Sequence, residues 1–224
     1  MSAKDDFLRQ QNELDEEISK IWEHPHFDGI ADYELYNKAR VKLLWILKES
    51  SNTNGGNARD FFLNVKDYSP YWQNTFANIM CVAYGILDGD KDYSEIPPLD
   101  KDECRIKDSA GAIVLDEIAI ININKSGGGK ITLPGKLNRE YKRAGVKEFL
   151  LKQIEFISPD IIINSHGVYQ FFLDQTNGNE IKKIHAEEYA VNNNRLIIWT
   201  SHPNRAEPKS YSNNILNIVS LWKN

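Results

Sequence analysis

Cysteine is nearly missing from this chain: only Cys81 and Cys104 occur in 224 residues. Two thiols exclude a disulfide framework and a four-cysteine metal cluster. An excess of basic residues is missing too, with 27 Lys and Arg against 32 Asp and Glu for a net charge of −5. Proteins that hold DNA by charge alone are usually basic, so the balance speaks against that class, while a local basic patch stays compatible with it. No apolar run approaches the ~18 residues of a membrane span. The opening MSAKDDFLRQQNELDEE is too polar and acidic for a signal peptide. His24, His26 and His185 lie in polar segments with no metal-like spacing to a carboxylate or cysteine. These absences predict a cytoplasmic monomer with no membrane contact, no metal and no other cofactor.

What is present is ordinary globular material. Hydrophobic residues make up 41% and charged residues 26%, near the averages for folded domains. The length suits one domain over 1–224, with 1–40 as an N-terminal helical extension. In that extension Phe7, Leu14, Ile18, Ile21 and Trp22 fall at helical spacing, and Pro25 and Gly29 then break the pattern. Four short apolar runs follow: VKLLWIL (41–47), EIAIINI (117–123), DIIIN (160–164) and RLIIWT (195–200). Such runs are typical of strands buried on both faces. Between and after them lie helical stripes. One carries Phe76, Ile79, Met80 and Ala83, a second Phe149, Leu150, Gln153 and Ile154, and the last Ile215, Ile218, Val219 and Trp222. The pattern predicts an α/β fold, a three-layer α/β/α sandwich around a central, mainly parallel four-stranded sheet.

Ligands of such sheets gather at the carboxyl ends of the strands. The residues there are Glu49 after the first run, Asn122 to Lys125 at the second, His166 and Gly167 after the third, and His202 after the fourth. The stretch ININKSGGGK (121–130) imitates a phosphate-binding loop. That loop needs Gly at 124 and Ser or Thr at 131, where this chain has Asn and Ile. Gly127 to Gly129 therefore read as a flexible turn. Asn122 and Asn124 are poor strand formers and share one face of their strand. Each is either a loop-capping amide or an amide that reads the edge of a planar polar ligand. Taken singly, Glu49 and His202 read as loop residues.

In order along the chain, strand–Glu, strand–Asn-x-x-Lys, helix–Gln-Ile–strand–Gly and strand–His-Pro resemble the uracil-DNA glycosylase superfamily. The resemblance spans about residues 41 to 222 and rests on WILKESSN, Asn122-Ile123-Asn124-Lys125, QIEFISPDIIINSHG and His202-Pro203-Asn204. Lys48 stands where the family has Gly, Ser50-Ser51-Asn52 replace its Pro-Gly turn, and Asn204 replaces its Ser. The resemblance implies a glycosylase that flips uracil or a related deaminated base out of DNA and hydrolyses its N-glycosidic bond without a metal, in DNA repair. It implies that Glu49 stabilises the sugar cation or orients water, and that His202 donates to the departing base. Asn122 would pair with the base edge, with Phe61, Phe62 or Tyr68 stacked on the base. Lys125, Asn204 and Arg205 would meet the DNA backbone. Two alternatives are a non-catalytic member that binds a nucleobase or nucleic acid, and an α/β hydrolase using Glu49 and His202 on another small substrate.

Overall fold

A computed structural model describes residues 2–50, 52–63, 70–89, 91–100, 105–106, 114–128, 132–133 and 135–224, without the side chains of 70–74, 99–100, 105–106 and 205. Helix α1 (Ala3–Ile21) leads through two short strands, β1 (His26–Phe27) and β2 (Gly29–Ile30), and helix α2 (Tyr33–Lys38) into β3 (Leu43–Glu49). Then come β4 (Gly56–Asn57), α3 (Ala58–Leu63), α4 (Pro70–Leu87) and the small pair β5 (Leu99–Asp100) and β6 (Arg105–Ile106). The second half runs β7 (Ala119–Asn124), α5 (Lys136–Tyr141), α6 (Val146–Ile157), β8 (Ile161–Ser165) and α7 (Tyr169–Thr176). It closes with β9 (Lys182–Ile184), β10 (Glu187–Asn192), β11 (Arg195–Thr200) and α8 (Pro208–Lys223).

The main sheet is ordered β2-β7-β3-β8-β11-β10-β9. Its centre, β7-β3-β8-β11, is parallel throughout and consists of the four apolar runs. The sheet is nevertheless mixed and seven-stranded rather than four-stranded. Antiparallel β2 extends one edge, and antiparallel β10 and β9 extend the other. These three strands carry little apolar signal. β2 has two residues, β9 is Lys-Lys-Ile with both lysines exposed, and in β10 only Glu187 and Ala190 are buried. The β10–β11 hairpin turns on Asn193 and Asn194, whose φ values of 50° and 65° suit a two-residue turn.

Side chains alternate across the central strands, and helices cover both faces. Leu43, Trp45 and Leu47 enter one core with α4 and α8, while Leu44 and Ile46 enter the other with α1, α6 and α7. The first 40 residues are integral to this packing. Leu14, Ile18 and Trp22 belong to the second core, and β2 hydrogen-bonds to β7.

The same segment supplies Asp28, the partner of a fully enclosed lysine. Lys125 Nζ lies 2.6 Å from Asp28 Oδ1 and 2.7 Å from Gln153 Oε1, with neither charged side chain exposed. Gln153 Nε2 donates back to Asp28 Oδ1 at 3.0 Å, and the Asn122 backbone amide donates to Oδ2 at 2.7 Å. Burial pulls the Lys125 ammonium below its usual range, against the opposing pull of Asp28. A buried charge that loses its partner is strongly destabilising. Asp28→Ala should therefore lower the unfolding free energy by about 3–5 kcal/mol in chemical denaturation. A loss comparable to that of a surface substitution would contradict the pairing.

Asp116 shows the opposite imbalance just before β7. Its Oδ1 is buried without a hydrogen-bond partner among the described residues. Burial, with the charges of Asp32 and Glu117, pushes its carboxyl up to about 6. A carboxyl raised on folding costs nothing below its unfolded pKa near 4, and its cost grows until the pH passes the folded value. Asp116→Asn should thus be more stable than the parent at pH 7, by about 1–2 kcal/mol after allowance for partial exposure. In urea titrations at a series of pH values, that advantage should fade toward pH 4.

Candidate functional site

At the carboxyl edge of the sheet the parallel register sets Glu49 opposite Asn124. Laterally paired residues point to the same face, so the carboxylate and the amide meet. Asn124 Nδ2 donates to Glu49 Oε2 at 2.9 Å, and its Oδ1 accepts from the Ser126 backbone amide at 3.1 Å. The amide is held at both ends. Lys136, the first residue of α5, places Nζ 2.8 Å from the same Oε2. The Glu49 side chain is 3% exposed. Its other oxygen, Oε1, is buried without a hydrogen-bond partner among the described residues. Burial pushes the Glu49 carboxyl up, but hydrogen bonds from Lys136, Asn124 and Thr132 outweigh it and hold the group below the usual carboxylate range. Glu49 is an anchored anion with one oxygen left over.

The glycines after β7 form the wall above it. A Cβ on Gly128 would lie 1.8 Å from Glu49 Cδ, and one on Gly127 would lie 1.8 Å from the Asn52 carbonyl oxygen. Gly128 N also donates to Ser50 O at 2.8 Å. Gly127 and Gly128 are therefore closely packed, where a flexible turn was expected, and backbone proximity is what demands glycine. Gly129 lies outside the described residues. The turn after β3 is held by side-chain hydrogen bonds. Asn52 Oδ1 accepts from Asn54 N at 3.0 Å, Asn52 Nδ2 donates to Gly55 O at 3.2 Å, and the His26 ring meets Asn52 O at 2.8 Å.

His202 follows β11, two strands along the same edge from β3, a lateral step of roughly 10 Å at ~4.8 Å per strand. Its Nδ1 accepts from Asn204 N at 3.3 Å, capping a single turn of 3-10 helix over Pro203–Arg205. With Nδ1 accepting, the neutral ring carries its proton on Nε2, which becomes the donor nitrogen. Asn78 on α4 holds this loop, donating from Nδ2 to Pro203 O at 2.6 Å and to Ala206 O at 3.3 Å. Asn78 is not among the residues that follow an apolar run, and its only signal in the sequence is a polar residue beside the apolar stripe of α4. Exposed Asn204 shares with Asn78, Cys81 and Tyr93 a pocket of about 530 Å³ behind the loop.

The other expected site residues divide. Asn122 is buried two residues before Asn124 on the same strand, with its side-chain amide 3.5 Å from Asp28 Oδ2, whereas the amide hydrogen-bonded to Glu49 is that of Asn124. Lys125, expected at the DNA backbone, faces the opposite side of the sheet with no exposed surface. Its ion pair with Asp28 corrects that role, because an enclosed ammonium reaches no phosphate. Phe62 is a core residue at 4% exposure, so it offers no face to a base. Phe61 is half-buried, its ring centroid 5.4 Å from that of Phe76. Tyr68 and the side chain of Arg205 lie outside the described residues. Lys136 and Gly128 were also unforeseen, since neither follows an apolar run directly.

Among the described residues no helix is long and apolar enough to cross a membrane, and no group of three or more His, Cys, Asp or Glu is arranged to hold a metal ion. No protein-family model matches the chain, and no curated protein matches its sequence.

The wall over Glu49 gives a direct test of the packing. Gly128→Ala should cost about 1–3 kcal/mol of stability, the usual range for overpacking a tight contact. In a Glu49→Ala background the same substitution should cost much less, because the clashing carboxylate is gone. Equal costs in the two backgrounds would show that Gly128 is required for another reason.

Proposed function

We propose that the protein is a glycosylase that removes uracil or a related deaminated base from DNA by base flipping. The observation that carries this reading is Glu49: a carboxylate held in its charged form at the carboxyl end of a parallel sheet, with one oxygen anchored and one unpartnered among the described residues. Breaking the glycosidic bond leaves positive charge on the sugar and negative charge on the base. Glu49 suits the first as a counter-charge or water-orienting base, and the Nε2–H of His202 suits the second as a donor to the base oxygen. The Asn78 clamp keeps the His202 loop in place, and preorganised donors act at no reorganisation cost in the transition state. Asn122, whose side-chain amide is only loosely held by Asp28, is the amide assigned to the base edge, and half-buried Phe61 the stacking ring. Asn204 is exposed on the loop that would press on the DNA backbone.

One observation favours a second reading, a member of the same fold that binds a nucleobase or nucleic acid without cleaving it. Glu49 is neutralised by Lys136 and covered by the Gly128 backbone. The two readings separate in one assay. The protein is incubated with labelled single- and double-stranded oligonucleotides containing uracil, and the products are heated in alkali. Strand breaks above background are expected, falling about 10²-fold or more in Glu49→Gln and in His202→Ala. Binding by fluorescence anisotropy without breaks selects the second reading. Neither binding nor breaks, with a known glycosylase active in parallel, rejects both.

A further inference from the structure

Glu49 has two chemically identical oxygens in unequal surroundings. Oε2 receives Asn124 Nδ2 at 2.9 Å and Lys136 Nζ at 2.8 Å, Thr132 adds a further hydrogen bond to the carboxylate, and Oε1 is buried. Each donor is itself constrained. The Asn124 amide cannot flip without losing the Ser126 backbone bond. Lys136 stands at the first position of α5, where a cation opposes the helix dipole, and the first turn of α5 has no acidic residue to offset it. Helix stability therefore does not account for a lysine there, whereas the ion pair does. Its side chain is 33% exposed, so the ammonium bridges the enclosed carboxylate and the solvent.

We propose that Lys136 is the positioning residue of Glu49: with Asn124 it immobilises Oε2 and so fixes the orientation and the charge of the carboxylate. The catalytic half of this inference rests on the glycosylase reading, while the ion pair stands without it. As the bond between C1′ and the base nitrogen breaks, its electron pair departs with the base. The water oxygen bonds to C1′, and the released proton passes to the Glu49 carboxylate and then to the base or solvent. A carboxylate free to rotate would present either oxygen in many directions, and orientation of this kind contributes a large share of rate. Among the described residues the groups that face Glu49 include Asn124 from β7, Gly128 and Thr132 from the connection to α5, and the charged Lys136.

The test compares the parent with Lys136→Met and Lys136→Arg, using carboxyl carbon NMR to titrate Glu49 and base release to follow turnover. In Lys136→Met the Glu49 titration should move to higher pH, and the acid limb of kcat should move with it. At neutral pH kcat should fall about tenfold or more, with KM little changed. Lys136→Arg, which keeps the charge, should restore both in large part. A Glu49 titration that stays in place in Lys136→Met overturns the proposal. A titration that moves while kcat does not overturns its catalytic half. Should the parent release no base, the glycosylase reading fails on its own, and the titration still decides whether Lys136 governs the charge of Glu49. Thermal unfolding of each variant, expected within a few degrees of the parent, separates these effects from loss of fold.

Discussion

The carboxyl edge of this sheet depends on a lysine that no water reaches. Enclosing an ammonium is tolerable only with a counter-charge and full hydrogen bonding, and Lys125 obtains both from Asp28 and Gln153. Three elements converge on it: the end of β7, the turn between β1 and β2, and the inner face of α6. The Lys125 carbonyl accepts from His26 N at 2.7 Å, so the backbone at this point is tied as firmly as the side chain. Strand alternation then decides what lies on the other face. With Lys125 committed to one side, Asn124 must point to the opposite one, toward Glu49. The ion pair thus works for the site without belonging to it.

From that anchor the rest of the edge is assembled by short-range constraints. Register brings Asn124 beside Glu49, and the chain beyond Asn124 folds back across the carboxylate because residues 127 and 128 lack a Cβ. Lys136 arrives from α5 on the solvent side. A carboxylate so enclosed would ordinarily be pushed toward its neutral form. Here hydrogen bonds from Lys136, Asn124 and Thr132, with the charge of Lys136, reverse that tendency. On the far side of β8 the loop of His202 is organised separately, by its own cap and by Asn78 on α4. The two halves share a sheet edge, and each is held by hydrogen bonds of its own.

How legible this was depended on whether a feature was periodic or relational. The four central strands are unbroken apolar runs, and the stripes of α4, α6 and α8 recur at helical spacing, so both were readable from residue order. β2, β9 and β10 were not. A two-residue strand has no period, and edge strands half open to water lose the apolar signal that identifies buried ones. The Asn-Asn turn before β11 was a readable hairpin signal that went unused. At the site, the period of two placed Asn122 and Asn124 on one face correctly. It contained nothing about which of them meets Glu49, since that follows from the pairing of two strands 75 residues apart in sequence. Lys125 was misread for a related reason. A lysine beside a glycine-rich turn looks solvated unless Asp28, far away along the chain, is known to be its partner.

The glycine run shows the same distinction from another side. Three glycines before a lysine suggest a loop shaped around a phosphate, and the ordinary alternative is a loop with no shape at all. Neither describes Gly127 and Gly128. Their backbone is fitted to groups inside the protein, the Asn52 carbonyl and the Glu49 carboxylate, much as a phosphate loop is fitted to its ligand. What glycine supplies in both cases is close approach, and sequence alone does not say what is approached. Here the object is the anion at the end of β3, which places the glycine wall and both oxygens of Glu49 within one tightly packed unit. The packing that holds the carboxylate thus commits Oε2 to Asn124 and Lys136 before any ligand is present.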